Sequence, residues 1–385
     1  MSRDRERFAC DACLRRAALI ARLAPRIAGL LDEPRGRVHG LLALEEADLL
    51  AAAAGERADE LRCELANFDA DCERERLASA GVEVVCRHAA AYPPRLLDLH
   101  DPPATVFACG RLEALDRLRE EPAVAIVGTR NPSPYGTEVA YSLGRGLGAA
   151  RVPVVSGLAL GIDATAHRGC LDGRGLPVAV LAGGPEAAYP RRHRRLHERV
   201  REQGVVLSEL PPGTRPYRWS FPARNRIMAA LARMTVVVEA ADPSGSLITA
   251  DFARDLGRSV AAVPGRVTSR FARGTNGLLK DGAVPITRTE DVLDELFGVG
   301  ARSLPGQGGE AAEPVEAAEP VDPVMAHVLQ AAEGSNSITA IAQAVGLSTA
   351  EVRAAIVRLE ADGYLARRGL EGWERTLAAP ILPGP

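Results

Sequence analysis

Aromatic and basic side chains alternate along one segment of the chain, residues 215–226. Its rings and cations are Tyr217, Trp219 and Phe221 among Arg215, Arg218, Arg224 and Arg226. Bases stack on aromatic rings and phosphates pair with guanidinium groups, so single-stranded nucleic acids require this combination. We expect Trp219 or Phe221, but not both, to face solvent, because some of the rings must serve the core. The segment therefore predicts a surface that binds single strands.

Glycine and hydroxyl side chains mark two loops earlier in the chain. Residues 128–130, Gly-Thr-Arg, combine a close backbone approach with a hydroxyl and an arginine that can bind a phosphate. A simple strand-to-helix turn is the alternative. Residues 156–161 precede a helix start at Asp163, whose carboxylate serves either as an N-cap or as part of a ligand loop. We expect both loops to bind phosphates.

Other short segments extend this pattern. Residues 244–249 and 274–276 add serine, threonine, asparagine and glycine, and each segment follows a predicted strand. Residues 191–195 hold four arginines around His193 and are either a solvated helix face or a surface that follows a nucleic-acid backbone. If the loops converge at one edge of a sheet, they form a continuous lining for a phosphate chain.

The sequence lacks the motifs of common catalytic sites. It contains no Walker GxxxxGK[ST], no HExxH and no GxSxG in an elbow context, and no acidic residue pairs convincingly with Asp163 or Glu239. We therefore expect a binding protein that is not an enzyme. A Rossmann-type nucleotide phosphoribohydrolase is the enzymatic alternative, because glycine loops also suit a mononucleotide. Such an enzyme should have a glutamate near the phosphate loop.

The formal net charge of −3 hides an uneven distribution along the chain. Residues 122–297 carry 23 basic and 16 acidic side chains, a surplus of seven positive charges. Residues 1–121 and 298–385 each carry a surplus of five negative charges. Phosphates are attracted to a positive surplus and release counterions on contact. The central segment therefore has the charge expected of a polyanion-binding domain.

Six apolar runs separated by mostly helical segments dominate the central part of the chain. The runs are Val124 to Val127, Pro153 to Ser156, Val178 to Leu181, Val205 to Leu207, Thr235 to Val238 and Val260 to Val263. Their continuous apolarity predicts a doubly wound parallel sheet of the α/β class, with two shorter β-type runs at 82–85 and 105–108 leading into it. Ligands of such sheets bind beyond the carboxyl ends of the strands, where the loops above fall.

Changes in composition divide the chain into four segments. Residues 1–80 show helical periodicity and predict a small helical domain. Residues 81–297 hold the extended Rossmann sheet, and residues 298–321, rich in Gly, Pro, Ala and Glu, predict a flexible acidic linker. Residues 322–378 predict a winged helix from three amphipathic segments and two short runs that could pair. A duplex-DNA-binding regulator is a further alternative, although seven acids outnumber five arginines there.

Seven cysteines are spread thinly through the chain, an odd count that indicates reduced thiols rather than a disulfide framework. Cys10 and Cys13 form a lone CxxC pair. A zinc site needs two more ligands, for which Cys63 and Cys72 or His39 are only guesses. We therefore expect no metal and no cofactor.

No secretion signal is recognisable at the start of the sequence, and no apolar run approaches the roughly 20 residues that cross a bilayer. We expect a soluble, cytoplasmic protein without membrane contact.

Many of these motifs, in this order, resemble those of the DprA/Smf family of DNA-processing proteins over residues 84–297. They are GTR, SGLALGID, YPRRHRRL, SEL-PPG-T, FPARNRI, VVEA, SGSLITA, VPG and RGTNGLL. The resemblance implies a protein that binds single-stranded DNA, forms a homodimer through its Rossmann domain and loads the RecA recombinase during natural transformation. More loosely, residues 1–80 resemble the family's SAM-like domain and residues 322–378 its winged helix.

The resemblance also implies which residues contact DNA. It assigns phosphate and base contacts to Arg130, to the loop of residues 156–161 and to Arg218 with Phe221, and it places residues 224–226 in the same pocket. The full set of candidate DNA-binding residues is Gly128, Thr129, Arg130, Ser156, Gly157, Gly161, Arg218, Phe221, Arg224, Asn225, Arg226, Ser244, Gly245, Ser246, Thr249, Gly274, Thr275 and Asn276.

Three positions depart from the family pattern. Thr129 stands where serine is usual, Leu160 where a basic residue often stands, and His193 where the family has asparagine. The change at residue 160 removes a cation, and our hypothesis is that the arginines of residues 191–195 compensate for it.

Overall fold

The computed structural model describes residues 9–30, 38–302, 323–334, 337–361, 365–367 and 373–375. These residues belong to two compact units, one within residues 1–308 and the other within residues 309–385. From residue 303 onward, the predicted linker lies outside the described residues. The domain boundaries drawn from the sequence stay predictions.

The first unit is built on a nine-stranded sheet. In chain order the strands are β1 (Glu83–Cys86), β2 (Thr105–Gly110), β3 (Val124–Val127), β4 (Val154–Ser156), β5 (Pro177–Leu181), β6 (Val205–Ser208), β7 (Met234–Val237), β8 (Ser259–Ala262) and β9 (Val284–Pro285). Their spatial order is β1-β2-β6-β5-β4-β3-β7-β8-β9, with β3 to β9 parallel and β1 and β2 added antiparallel. The predicted α/β class, mostly parallel sheet and six central strands are confirmed. The sequence missed β9, which is too short to give an apolar run.

Helices cover both faces of this sheet. The helices of the first unit are α1 (Asp11–Leu30), α2 (Val38–Ala43), α3 (Glu46–Ala53), α4 (Ala58–Ala66), α5 (Ala70–Ser79), α6 (Glu113–Glu120), α7 (Pro134–Ala149), α8 (Ile162–Asp172), α9 (Arg194–Gln203), α10 (Ser220–Leu231), α11 (Gly245–Asp255), α12 (Arg273–Lys280) and α13 (Thr289–Phe297). In β3, Ala125 and Val127 pack in one layer with α10, α11 and α12, whereas Val124 and Ile126 pack in the other with α7, α8 and α13. Burial on both faces explains why the strands are continuously apolar.

The order of the strands creates a crevice at one place. After β3 the chain adds β4, β5 and β6 on one side, and it then returns to add β7, β8 and β9 on the other side. The loops after β3 and β7 consequently lead away in opposite directions at neighbouring positions. Open α/β sheets bind their ligands at such a switch point, beyond the carboxyl ends of the strands.

The N-terminal helices pack against the segment that leads into α10. Residues of α1, α3 and α4 form one apolar cluster with Leu210, Trp219 and Ala223. Trp219 is only 4% exposed, and its Nε1 donates a hydrogen bond to the Ala24 carbonyl at 3.0 Å. Phe221 is partly exposed, so the two rings divide between core and surface as expected. The SAM-like identity of the helices stays a prediction.

An ionic cluster lies inside the first unit, which we call the sheet unit. Arg226 is 1% exposed and donates from Nε to Asp101 at 3.1 Å and from Nη2 to Glu209 at 2.8 Å. Burial alone lowers the pKa of Arg226, but the attraction of Glu209 and Asp101 outweighs it and raises the pKa. Through these two contacts, Arg226 holds α10 to the loops before β2 and after β6. Loss of either partner would leave an uncompensated buried charge.

The second unit contains three helices and a strand pair. Its elements are α14 (Pro323–Gly334), α15 (Ile338–Val345), α16 (Thr349–Ala361), β10 (Leu365–Arg367) and β11 (Trp373–Arg375). The two strands pair antiparallel, as proposed for the wing, and Leu329, Ile341 and Leu359 lie in the apolar core. The winged-helix identity of this unit stays a prediction.

Among the described helices, no single one is both long and apolar enough to cross a bilayer. The pair Ile338–Val345 and Thr349–Glu360, bent by 104° at their junction, is long and apolar enough only when the two helices are taken together.

We predict that Trp219 and Phe221 differ in their contribution to stability. Trp219→Ala removes a buried ring and its hydrogen bond, and we expect it to lower the free energy of unfolding by about 3–5 kcal/mol. Phe221→Ala removes a partly exposed ring and should cost less than half as much. Urea denaturation followed by circular dichroism measures both, and equal losses would contradict the assignment of Trp219 to the core.

Candidate nucleic-acid interface

A cavity of about 320 Å³ opens at the carboxyl edge of the sheet, at the switch point between β3 and β7. Its walls come from the loops after these strands and from α8, α10 and α11. The predicted residues that line it are Gly128, Thr129, Arg130, Phe221, Arg224, Asn225, Ser244, Gly245, Ser246 and Thr249. The fold therefore brings three separate segments of the candidate set to one place.

The loop after β3 is held by its backbone. Thr129 donates its N–H to the Glu239 carbonyl at 2.8 Å, and its own carbonyl accepts from the Ile162 N–H at 3.2 Å. Gly128 lies so close to Ile162 and Glu239 that a Cβ atom would collide with them. Arg130 is exposed, and no carboxylate in the described part of the chain lies within ion-pair distance of it. Its guanidinium is therefore available to a phosphate.

The loop after β4 wraps around a buried carboxylate. Asp163 accepts hydrogen bonds from the N–H groups of Gly157 at 3.2 Å and Ala159 at 3.3 Å. Helix α8 begins at Ile162, and the preceding Gly161 has a φ of +78°, which favours glycine. The N-cap alternative for Asp163 is wrong, because the residue lies inside the first turn and its carboxylate reaches back to the loop.

Arg224 joins this loop to the end of β5 and to α10. Its guanidinium donates to the carbonyls of Val180, at 2.6 Å, and Gly157, and to the Asn225 side chain at 3.2 Å. The Asp163 carboxylate lies 3.8 Å from its Nη2. Burial lowers the pKa of Arg224 and raises that of Asp163, and the attraction between the two groups opposes both shifts. Since protein carbonyls occupy most of its donors, Arg224 shapes the cavity from within.

An exposed aromatic wall stands beside the cavity. The ring centroids of Tyr189 and Phe221 are 5.6 Å apart, and the Arg130 guanidinium carbon lies 5.5 Å from the centre of the Phe221 ring. Tyr189 is 49% exposed. A second cavity, of about 120 Å³, is bounded by the same three residues together with Arg224 and Leu160. Arg130 and Phe221 therefore separate two adjoining cavities, where a ring face and a cation meet solvent together.

Several predicted residues lie outside both cavities. Ser156 is fully buried and its hydroxyl donates to a carbonyl of β3 at 2.6 Å, while Arg226 belongs to the internal ionic cluster. Arg218 is exposed but lines neither cavity. Residues 274–276 lie in α12 rather than in a loop, and the asparagine among them bonds the loop after β8. Ser156, Arg226 and the asparagine serve the fold here, and DNA contacts by all of these residues stay predictions.

The arginine-rich run flanks the loop after β4. Arg191, Arg192 and Arg195 are exposed, and Arg194 pairs with Glu198 at 3.0 Å. In the middle of the run, the buried His193 donates from Nδ1 to the carbonyl of residue 158 at 2.9 Å. His193 therefore fixes the loop, while its neighbours face solvent.

Two features of the site were not predicted from the sequence. Tyr189 stands just before the basic run. Its position after β5 is the signal that could have placed it at the same sheet edge. Glu239 lies beside the loop after β3, but its carboxylate accepts from the Ser133 N–H at 2.9 Å and hydroxyl at 2.5 Å. Among the described residues that line the larger cavity, Asp163 is the one carboxylate.

Comparison with known sequences relates the sheet unit to proteins of DNA processing. Residues 83–297 match the family model of DNA recombination-mediator protein A. A putative DNA processing protein DprA from Mycobacterium tuberculosis is 43% identical over 243 residues, which are 63% of this chain and 61% of that protein. DNA processing protein DprA from Bacillus subtilis is 39% identical over 56% of this chain and 72% of its own length. The matched region thus spans less than two thirds of the mycobacterial relative.

Solved structures agree on the mixed α/β fold. The X-ray structure of DNA processing protein A from Streptococcus pneumoniae superimposes with a TM-score of 0.59 and 29% identity, over 75% of this chain and 99% of that chain. A structure of DNA processing protein A from Helicobacter pylori, described for its single-stranded DNA binding mode, gives a TM-score of 0.50 and 28% identity over 56% of this chain and 95% of that chain.

We predict that the two arginines that line the larger cavity, Arg130 and Arg224, differ in their contribution to stability. Arg224→Met should lower the free energy of unfolding by about 3–5 kcal/mol, because it leaves Asp163 buried without a cation. Arg130→Met changes an exposed side chain and should stay within about 0.5 kcal/mol of the parent. Urea titration of both variants tests this difference. An Arg224 variant as stable as the parent would show that the buried contacts of Arg224 are not needed for stability.

Proposed function

The chain belongs to the DNA recombination-mediator protein A family, and from this premise we propose that it binds single-stranded DNA and delivers it to a recombinase. In this proposal the protein protects incoming single strands during natural transformation and loads RecA onto them. The cavity at the switch point and the aromatic wall beside it form the DNA site.

The observation that carries the proposal is the exposed grouping of Arg130, Phe221 and Tyr189. A base can stack on a ring face without regard to its sequence, and a neighbouring guanidinium can pair with the phosphate that follows it. The two adjoining cavities on either side of Phe221 suit successive nucleotides of one strand. A base held in a duplex is already stacked, so this arrangement favours single strands.

Backbone amides and hydroxyls of residues 244–246 supply another wall of the cavity. Ser244 is the N-cap of α11 and accepts from the Ser246 N–H, and the hydroxyls of the two serines lie 2.8 Å apart. Gly245, between them, keeps the backbone accessible. The amino end of a helix attracts anions, so this wall can bind a phosphate. The positive surplus of residues 122–297 favours a polyanion over a single mononucleotide.

We further propose that two chains associate through the sheet unit and that the protein acts in the cytoplasm.

We also propose that binding involves no chemistry. A phosphoribohydrolase would need an acid facing its nucleotide. Glu239 is bonded to Ser133, and Asp163 is bonded to two loop amides and lies beside Arg224. Release of free base from a nucleoside monophosphate would overturn the binding-only proposal.

We predict that Phe221→Ala and Arg130→Ala weaken binding in different ways. Loss of the ring removes a stacking platform worth about 1–3 kcal/mol, or about 5- to 150-fold in Kd for a short oligonucleotide. Loss of the cation should reduce the slope of log K against log salt by about one, because one phosphate contact is lost. Filter binding of single- and double-stranded oligonucleotides across a salt series measures both effects.

Arg254→Ala is the matched control for these variants. Arg254 lies at the far end of α11 in an exposed pair with Asp251, at 3.5 Å, so the variant makes the same change of charge away from the cavity. It should bind as the parent does. If Arg130→Ala also bound single-stranded DNA as tightly as the parent, the proposed site would be wrong. Light scattering on the same samples tests the dimer.

We predict that deletion of residues 299–385 leaves single-strand binding intact. The deleted segment carries a negative surplus, and α16 has only Arg353 and Arg358 as basic side chains, so its attraction for phosphates is weak. We propose that this unit contacts protein instead. Loss of DNA binding on deletion would favour the alternative in which the C-terminal unit binds the nucleic acid.

A further inference from the structure

Four side chains from two segments that are remote in sequence meet at the amino end of α1. Cys10 and Cys13 come from the start of this helix, Cys86 from the end of β1, and His88 from the turn that follows. Their ligand atoms all lie within 4.8 Å of one another. His88 Nδ1 is 3.5 Å from the sulfur of Cys10, 3.4 Å from that of Cys13 and 4.0 Å from that of Cys86.

The two shorter separations match an edge of one coordination tetrahedron, and the distance of 4.0 Å to the Cys86 sulfur is somewhat longer. With Zn–S bonds of about 2.3 Å and Zn–N bonds of about 2.0–2.1 Å, the sulfur-to-nitrogen edge of a tetrahedron is about 3.5 Å long. The ligand atoms are therefore spaced for a single ion. A disulfide would place two of the sulfurs about 2 Å apart, whereas all three cysteines are free.

The surroundings of the cluster favour bound thiolates. The Cys10 N–H donates to the Cys86 sulfur at 3.4 Å. The amino end of α1 carries a partial positive charge, which also stabilises a thiolate there. Arg74 fixes the chain just before the cluster by donating to the Ala9 carbonyl at 2.9 Å. Cys13 and Cys86 are buried, whereas His88 is exposed, so an ion can reach the site from solvent.

We propose that Cys10, Cys13, Cys86 and His88 bind one Zn²⁺ ion in a closed structural site. Three thiols lose their protons as the ion binds, and His88 contributes its neutral ring through Nδ1. Four protein ligands leave no open position, so the ion fastens α1 to the sheet and performs no chemistry. Thiolate and imidazole together select zinc over the hard cations Mg²⁺ and Ca²⁺.

This proposal differs from the expectation of no metal. Cys63 and Cys72 were only guesses for the further ligands of the CxxC pair, and both are exposed and lie outside the cluster. The side chain of His39 lies outside the described residues. Spacing along the chain could not identify Cys86 and His88, because more than 70 residues separate them from Cys13 and only the fold brings them together.

Metal analysis of the full-length chain tests the proposal independently of DNA binding. The protein is purified with a phosphine reductant and without metal-affinity resin or chelator, incubated with Zn²⁺, desalted, and measured by mass spectrometry of the elements. We expect about one zinc per chain in the parent and less than about a tenth in Cys13→Ser and His88→Ala. Cys63→Ser and Cys72→Ser are matched controls, since they remove exposed thiols outside the cluster, and both should keep the parent's zinc.

A cobalt titration keeps the test decisive if a ligand variant fails to fold. Zinc-free parent protein titrated with Co²⁺ should develop the intense visible bands of a tetrahedral ion and the ultraviolet band of thiolate-to-cobalt charge transfer, saturating at about one equivalent. Removal of the zinc should also lower Tm, and its return should restore it. A parent without zinc and without a tetrahedral cobalt spectrum would overturn the proposal, as would ligand variants that keep their zinc or control variants that lose it.

Discussion

The candidate site depends on the contacts that the buried guanidinium of Arg224 makes. The guanidinium joins the carbonyl ends of β4 and β5 to α10 and lies beside the Asp163 carboxylate, which in turn binds the amides of the loop after β4. A Cβ atom at Gly157 would collide with this guanidinium, so a glycine is needed at the point of closest approach. Because the loop is held from the inside, the side chains that face solvent need not hold it.

The arginines of the site therefore divide according to their partners. Arg224 and Arg226 are buried and occupied by protein oxygens, whereas Arg130 lies at the surface against an aromatic ring. Sequence alone could not separate them, since two of the three stand within one short motif. Arg218, to which the family resemblance assigns a DNA contact together with Phe221, lines neither cavity. Arg224 and Arg226 are only two residues apart on α10, yet the first lies beside Asp163 and the second pairs with Asp101 and Glu209.

The sheet was predictable because burial on both faces leaves a direct trace in the sequence. Runs such as Val124 to Val127 have no polar residue, and the loops that follow parallel strands must meet at one edge. Contacts between remote segments leave no such trace. The pairing of Tyr189 with Phe221, the hydrogen bond from Trp219 to Ala24, and the meeting of Cys13 with Cys86 depend on how helices pack, which periodicity does not encode.

The hydrogen bond from the Trp219 indole to Ala24 limits where the chain can be cut into stable fragments. Leu210, Trp219 and Ala223 belong to the sheet unit by sequence, yet their apolar cover comes from the N-terminal helices. A recombinant fragment that begins at residue 81 would leave these side chains against water and would release the segment that leads to Phe221 from its anchor. Such a fragment would expose an apolar patch that promotes aggregation and that the N-terminal helices cover in the intact chain.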